Sequence, residues 1–362
     1  MQKITSIEIK NFKSIRHAEV KDCRRINVFI GYPNVGKSNI LEALSGLVYE
    51  HSDYPNFKNL CRYNNNREIF FNGNTKENAE ITLNDSYFLS YYYYDSDRIN
   101  IDLHDPRFKE IKNEAKGSKG IVIREAVNTF LFSVDSTGGS PRVRYYSENS
   151  GKGVVFNLKK YAFDKSMSNE NKIRTSSLSI PFGENISDII LDNKEFKNEV
   201  ISLFKVYDLS VSFDVGLNEI RVFKNLDEQN IFSLPLYLVA DTLQRLIFYK
   251  AAIASNKDAV LLFEEPEAHM FPPYIAKFTT DILFDKNDNQ YFIATHSPFV
   301  INEFIEELEP KELAVYVVDY DKGETIIKRL TDEEIHEVSQ YGIDLFFNLE
   351  GYLDKYGQPH SA

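Results

Sequence analysis

The stretch "FIGYPNVGKSNILEAL" (Phe29 to Leu44) constrains this chain more than any other. Gly31, four intervening residues and then Gly36-Lys37-Ser38 reproduce the spacing of a phosphate-binding loop. The chemistry needs these residue types. Two glycines let backbone N–H groups turn inward around an anion, Lys37 can reach β- and γ-phosphates, and Ser38 offers a hydroxyl to Mg²⁺. "INVFI" (26–30) reads as the strand feeding the loop, and Ile40, Leu41 and Leu44 then recur at helical spacing. A helix is therefore expected to begin near Lys37, its positive end facing the phosphates.

The chain has 362 residues, enough to bury a large core in one large or two modest domains. Its hydrophobic content of 43% is ordinary for a globular protein, and no run of about 18 apolar residues predicts a membrane partner. The start, "MQKITSIEIK", is polar and strand-like rather than a signal peptide. Cys23 and Cys61 form no C-x-x-C pair, which predicts a reduced, cytoplasmic setting and no zinc site. A net charge of −12 argues against a surface built wholly for nucleic acid, though local binding stays open. The basic cluster Lys10, Lys13, Arg16, Lys21, Arg24 and Arg25 reads at least as well as a solvated hairpin edge.

Along the chain, "ITSIEIK" (4–10) and "HAEV" (17–20) read as a hairpin separated by "NFKSIR". A polar, loop-rich region spans 51–80, and a tyrosine run follows at Tyr91 to Tyr94. Half-buried strand packing explains that run better than base stacking. Mixed helices and short strands fill 120–230, and "LYLVADTLQRLIFYKAAI" reads as a helix. "AVLLF" (259–263) and "QYFIA" (290–294) are continuous apolar runs suited to parallel strands covered on both faces. The tail holds a hairpin, "AVYVVDYDKGETIIKRL", and two helical segments.

The loop sequence "GYPNVGKS" also looks like that of Era-like GTPases. A GTPase needs a D-x-x-G after a strand and an N-K-x-D that reads guanine. Asp135 and Gly138 match the first by pattern but lie far too late in the chain, so Asp135 reads as a turn residue. "SNKDAV" (255–260) fails the second, because Asp258 is one position early and the segment follows a helix. An ATPase reading finds its partners instead. Glu264 and Glu265 end the "AVLLF" strand, where one carboxylate can hold Mg²⁺ and the next can polarise an attacking water. "ATHSPF" ends the following strand and offers His296 as a γ-phosphate sensor.

In this order the motifs resemble the ABC-type ATPases of the SMC, RecF and OLD group. "NFKSI" precedes a GxxNxGKSN loop, "LLFEEPEAH" resembles Walker B with the D-loop, and "ATHSP" resembles the switch histidine. The similarity covers roughly residues 1–50 and 230–350. It implies an α/β P-loop fold with a mixed central sheet flanked by helices and an inserted α+β subdomain. Residues 1–50 and 231–350 are expected to form the two parts of the ATPase domain, 51–230 the inserted lobe with the signature-side subdomain, and 351–362 a tail. The implied cofactors are ATP and Mg²⁺. Gly31, Asn34, Val35, Gly36, Lys37, Ser38 and Asn39 would contact nucleotide, and Ser38 and Glu264 the metal. Glu265 would be the catalytic base and His296 the switch. The resemblance also implies a homodimer, or a higher homo-oligomer, sandwiching two ATP molecules.

Three departures stand out. Where the signature motif is expected, "LVADTLQRL" supplies Ala240 and Thr242, leaving Thr242 to offer a hydroxyl across the dimer. No glutamine occurs between Gln2 and Gln229 to form a Q-loop, and Asp97 and Arg98 are candidates by position alone. No heptads predict a coiled coil. "VDYD" (318–321) has the D-x-D spacing of a Toprim nuclease, but hairpin turns explain Asp319 and Asp321 better. The chain thus resembles stand-alone ATPase components of anti-phage systems such as Septu and PARIS, which work beside a separately encoded nuclease or toxin. RecF-like DNA repair and a GTPase switch are the rival readings. Without an N-K-x-D reader, ATP should bind at least as well as GTP in a competition titration; a clear GTP preference would overturn the ATPase reading.

Overall fold

The computed structural model describes residues 3–50, 56–96, 98–104, 129–139, 142–143, 156–165, 175–214 and 219–353, so Asp97 and most of the tail lie outside it. The chain opens with β1 (Ile7–Phe12), β2 (Ile15–Val20) and β3 (Ile26–Ile30), followed by helices α1 (Lys37–Ala43) and α2 (Ser45–Glu50). Then come β4 (Ala79–Leu83), β5 (Tyr87–Asp95), β6 (Arg98–His104), β7 (Thr129–Asp135), β8 (Arg142–Val143) and β9 (Leu158–Tyr161). Helices α3 (Ile186–Asp192) and α4 (Lys194–Lys205) precede β10 (Ser210–Asp214), β11 (Glu219–Asn225) and β12 (Ile231–Pro235). The remainder alternates: α5 (Asp241–Ser255), β13 (Val260–Glu264), α6 (Pro272–Leu283), β14 (Gln290–Ala294), α7 (Pro298–Glu307), β15 (Leu313–Asp321), β16 (Glu324–Arg329), α8 (Asp332–Tyr341) and α9 (Leu349–Tyr352).

These elements build an α/β fold around a six-stranded mixed sheet of order β16-β15-β3-β14-β13-β9. Its inner pairings are parallel, and β16 returns antiparallel beside β15. Side chains alternate between two cores, as the pleat requires. Val28, Phe263, Ile293 and Val315 face a helical layer that includes α5 to α7, while Phe29, Leu262, Phe292 and Tyr316 face α1 and the other large sheet. That second sheet runs β2-β1-β4-β5-β6-β7-β8 and is antiparallel throughout. Residues 51–230 therefore contribute β4 to β8 to the sheet that β1 and β2 begin, and β9 to the central sheet. The tyrosine run lies in β5. Tyr91 is buried, accepting a bond from Gly46 N–H and donating to the Ala43 carbonyl, both at 2.9 Å, while Tyr94 is exposed. Half-buried strand packing accounts for the run.

Several expected boundaries shift for local reasons. The first hairpin is tighter than "NFKSIR" suggested: Phe12 pairs with Ile15, leaving Lys13 and Ser14 as the turn, with Lys13 at φ 51°. The helix expected from Leu236 starts at Asp241. The Gln244 amide donates to the carbonyls of Tyr237 (3.1 Å) and Val239 (2.6 Å), holding those groups outside the helix. Asp319 is not a turn residue; it is a buried strand position opposite Ile326, and only Asp321 borders the Lys322-Gly323 turn. Asp135 does cap a turn, accepting from Thr137 N–H (2.8 Å) and Gly139 N–H (3.0 Å). The basic cluster is largely paired on the surface, with Lys10 on Glu8, Lys21 on Glu19, Arg24 on Asp332 and Arg25 on Glu312.

Phe263 leads directly into Glu264 and is fully buried among the rings of Tyr249 (5.2 Å), Phe278 (6.0 Å), Tyr291 (6.1 Å) and Tyr161 (6.3 Å). Phe263→Ala should cost about 3–5 kcal/mol of stability in urea unfolding, since rings on four elements cannot close on the cavity together. A loss below about 1 kcal/mol would contradict this packing.

Candidate nucleotide site

The phosphate loop leaves β3 under tight steric control. At Gly31 (φ 155°) a Cβ would sit 2.1 Å from the Val318 carbonyl oxygen, and at Gly36 (φ 103°) 2.2 Å from Thr325 Oγ1. No other residue type fits either place without distortion. Behind the loop, Thr325 donates to the Val35 carbonyl (2.8 Å), meets the Ser14 hydroxyl (2.7 Å), and Ser14 accepts from the Asn39 amide (2.6 Å). The turn of the "NFKSI" segment thus props the loop from beneath. Val35 is buried there, while Asn34 holds φ 63° at the loop's outer bend.

Lys37 begins α1 and is only 5% exposed. Its Nζ donates to the carbonyls of Gly31 and Tyr32, both at 2.9 Å. Burial pushes its ammonium down to about 8, against the opposing pull of Glu265, Glu267 and Glu264. Beside it, Ser38 lines the same cavity as Glu264. Burial works to raise the Glu264 carboxyl, but Lys160, Arg62 and Ser38 outweigh it and hold the group below its usual range.

Two cations of that set were not legible as site residues. Arg62 donates to Glu264 through Nη2 (2.6 Å) and to Glu42 through Nε (2.7 Å). Lys160, on β9, lies 3.7 Å from Glu264 and donates to the Leu60 carbonyl at 2.8 Å. Glu42 is fully buried on α1 and is also paired with Lys13 of the hairpin turn. A lone acid inside "NILEAL" was the available signal for this network; Arg62 and Lys160 carry none, because nothing in their local sequence points at the strand they meet. Arg98, a positional Q-loop candidate, pairs instead with Asp95 (3.4 Å) and lies over Tyr94.

The turn after β13 brings Glu265 to the same place. It holds φ 44°, its N–H donates to the Ala294 carbonyl (2.8 Å), and its carboxylate stands 3.4 Å from His296 Nε2. Burial and the nearby Lys37 charge lower the His296 imidazole below its ordinary value, against the pull of Glu265. Asn34, Gly36, Lys37, Ser38, Asn39, Arg62, Glu264, Glu265 and His296 line one polar cavity of about 390 Å³. A hydroxyl and a charged carboxylate, with a lysine in the same cavity, form a donor set that fits a magnesium–polyphosphate. Thr242 is not part of this cavity. It lies in the first turn of α5, donates to the His269 carbonyl (2.9 Å), and lines a separate apolar groove.

A family model described as an AAA ATPase domain matches residues 2–205. The chain belongs to the AAA ATPase domain family. The matched residues of this ATPase domain carry the phosphate loop and Arg62, whereas Glu264, Glu265 and His296 lie beyond them. An ATP/GTP phosphatase of Helicobacter pylori (strain ATCC 700392 / 26695) is 35% identical over 88 residues, 22% of this chain and 24% of that protein. Protein ea59 of Escherichia phage lambda is 25% identical over 292 residues, 77% of this chain and 46% of that protein. The chain thus spans less than half the length of these relatives. Among solved structures, an SmcHead bound to the C-winged helix domain of ScpA aligns with a TM-score of 0.49 and 14% identity, covering 93% of this chain and all (100%) of that one. An Smc head domain with an extended coiled coil, bound to the C-terminal domain of ScpA derived from Pyrococcus furiosus, aligns with a TM-score of 0.49 and 13% identity, over 94% and 99% of the two chains.

The Lys37 environment sets a pH dependence. A polyphosphate favours the ammonium and raises its pKa, so above pH 8 binding must take up a proton. ATP affinity should therefore be flat below pH 7 and fall by up to ~10-fold per pH unit above about 8. Titration calorimetry in buffers of different ionisation enthalpy would reveal the proton uptake at pH 9; its absence there would contradict a neutralised Lys37.

Proposed function

We propose that this chain binds ATP with Mg²⁺ and hydrolyses it to ADP and phosphate. The observation that carries this reading is the meeting of Lys37, Ser38, Glu264, Glu265 and His296 around one cavity, although they follow three different strands, β3, β13 and β14, and more than half the chain separates the first from the last. In this reading Lys37 leaves the Gly31 and Tyr32 carbonyls for the β/γ-phosphates. Ser38 and Glu264 hold the metal, which when bound neutralises phosphate charge. Arg62 is displaced from Glu264 but keeps its Glu42 anchor, so its guanidinium stays at the rim of the cavity. Glu265 orients a water in line with the γ-phosphorus and takes its proton as the new P–O bond forms and the β–γ bridge breaks. His296, one strand away, reports whether the γ-phosphate is present.

We further propose that two copies close over two ATP molecules, with Thr242 and the start of α5 facing the partner's nucleotide. The resemblance to SMC, RecF and OLD ATPases supports this, as does the half-buried position of Thr242 on a separate groove, away from its own phosphate loop. By the same resemblance the chain acts as the regulatory ATPase of an anti-phage system, controlling a separately encoded nuclease or toxin. Among the described residues no helix is long and apolar enough to cross a membrane.

Glu265→Gln keeps the side-chain shape but removes the base, and should lower kcat by ~10²–10⁴-fold. ATP binding should persist, and the variant should accumulate as an ATP-filled dimer in light scattering, with a crosslink forming between subunits from Thr242→Cys to the partner's phosphate-loop rim. Undiminished turnover would dismiss Glu265 as the base. Trapped ATP without the crosslink would remove the sandwich and leave the base in place.

A further inference from the structure

Glu267 lies three residues beyond Glu264, behind the cavity wall, and is 8% exposed. One oxygen, Oε1, accepts from the Thr295 hydroxyl (2.6 Å) and from the His296 N–H (3.0 Å). Thr295 is itself fully buried; its hydroxyl accepts from Ser297 N–H (2.9 Å), and its N–H donates to the Phe29 carbonyl (3.1 Å). The turn after β13 is thus joined to the turn after β14 at two points, through Glu265 N–H to the Ala294 carbonyl and through the Glu267 carboxyl. The other oxygen, Oε2, is buried with no hydrogen-bond partner among the described residues. Burying such an atom costs free energy that an apolar side chain would avoid. What offsets that cost is the pair of bonds at Oε1, both directed at the segment that presents the imidazole.

We propose that Glu267 is a positioning residue for ATP hydrolysis, fixing the Thr295–His296 segment so that the imidazole stays beside the Glu265 carboxylate. It does not itself line the cavity or touch nucleotide. The inference rests on the reading of Glu265 and His296 given above. Pro266 and the left-handed turn at Glu265 fix the other side of the pair, so beyond the backbone bond from Glu265 N–H to Ala294 it is the Glu267 carboxyl that holds base and sensor at their separation. Released from Glu267, the loop could rotate His296 away while leaving the phosphate loop untouched, so the effect should appear in turnover and not in binding.

The test is a double-mutant cycle read by steady-state ATPase kinetics and by equilibrium binding of a fluorescent ATP analogue. Glu267→Ala should lower kcat by ~10–100-fold, the scale of a small misplacement, with binding as in the parent. Glu267→Gln retains the Oε1 acceptor and should restore most of the activity. In a His296→Ala background, Glu267→Ala should cost little further, because the imidazole it positions is gone. Should Glu267→Ala fail to fold, Thr295→Val removes one of the two bonds at near-constant shape and should show the same dependence on His296. If His296→Ala alone leaves kcat unchanged, the sensor assignment fails, and this inference with it. If His296→Ala is slow but the second substitution adds its full cost, or Glu267→Gln is as slow as Glu267→Ala, positioning is overturned and the site reading survives.

Discussion

The parallel pairing of β13, β14, β3 and β15 governs everything else in this molecule. Phe29 on β3 pairs with Ala294 on one side and Tyr316 on the other, and Ala294 pairs in turn with Glu264. Neighbouring strands lie about 4.8 Å apart, so this register brings the carboxyl ends of three strands to one edge within a nucleotide's length. The loop at Gly31, the acids at 264 and 265 and the histidine at 296 all leave the sheet there. β15 runs on past that edge, and its Val318 carbonyl is what compels glycine at position 31. A slip of one residue in any of these pairings would exchange the two cores and turn the catalytic candidates into the packing.

Around this edge the charges are arranged as partners of unequal freedom. Lys160 is buried on a strand, whereas the Arg62 side chain is 65% exposed and arrives from a loop. Both neutralise Glu264, yet only Arg62 can leave without carrying a secondary-structure element with it. Lys13 and Arg62 together neutralise Glu42, a carboxylate too deep in α1 to find water. Lys37 differs from all of these. Its close contacts are backbone carbonyls rather than carboxylates, so a phosphate meets a cation that need not first break an ion pair.

What could be read from the sequence follows the range of the physics involved. The phosphate loop and the strands at 26–30, 259–263 and 290–294 were legible because glycine geometry and continuous apolar runs are local signals. Tertiary competition hid the start of α5, where one glutamine side chain claims two carbonyls that periodicity assigned to the helix. Asp319 misled because D-x-D reads as a turn, while the pairing opposite Ile326 extends the strand through it. Arg62, Lys160 and Glu267 were silent. Each acts on a group reached only after long stretches of chain have folded back, and no window of sequence contains both partners.

That same long reach bears on how the protein comes into being. The strand carrying the phosphate loop is finished within the first thirty positions, but its two sheet neighbours are not made until residues 290 and 313. At synthesis rates of about 5–20 residues per second, β3 leaves the ribosome tens of seconds before β14 can pair with it. During that interval both its edges are open, and its apolar faces find cover only from the hairpin and the antiparallel sheet on one side. Pairings this distant are also intrinsically slow to close. A nascent chain therefore carries a recognisable phosphate loop long before it has a strand edge to set it on, and the ability to hold nucleotide becomes a late sign that the whole domain has assembled.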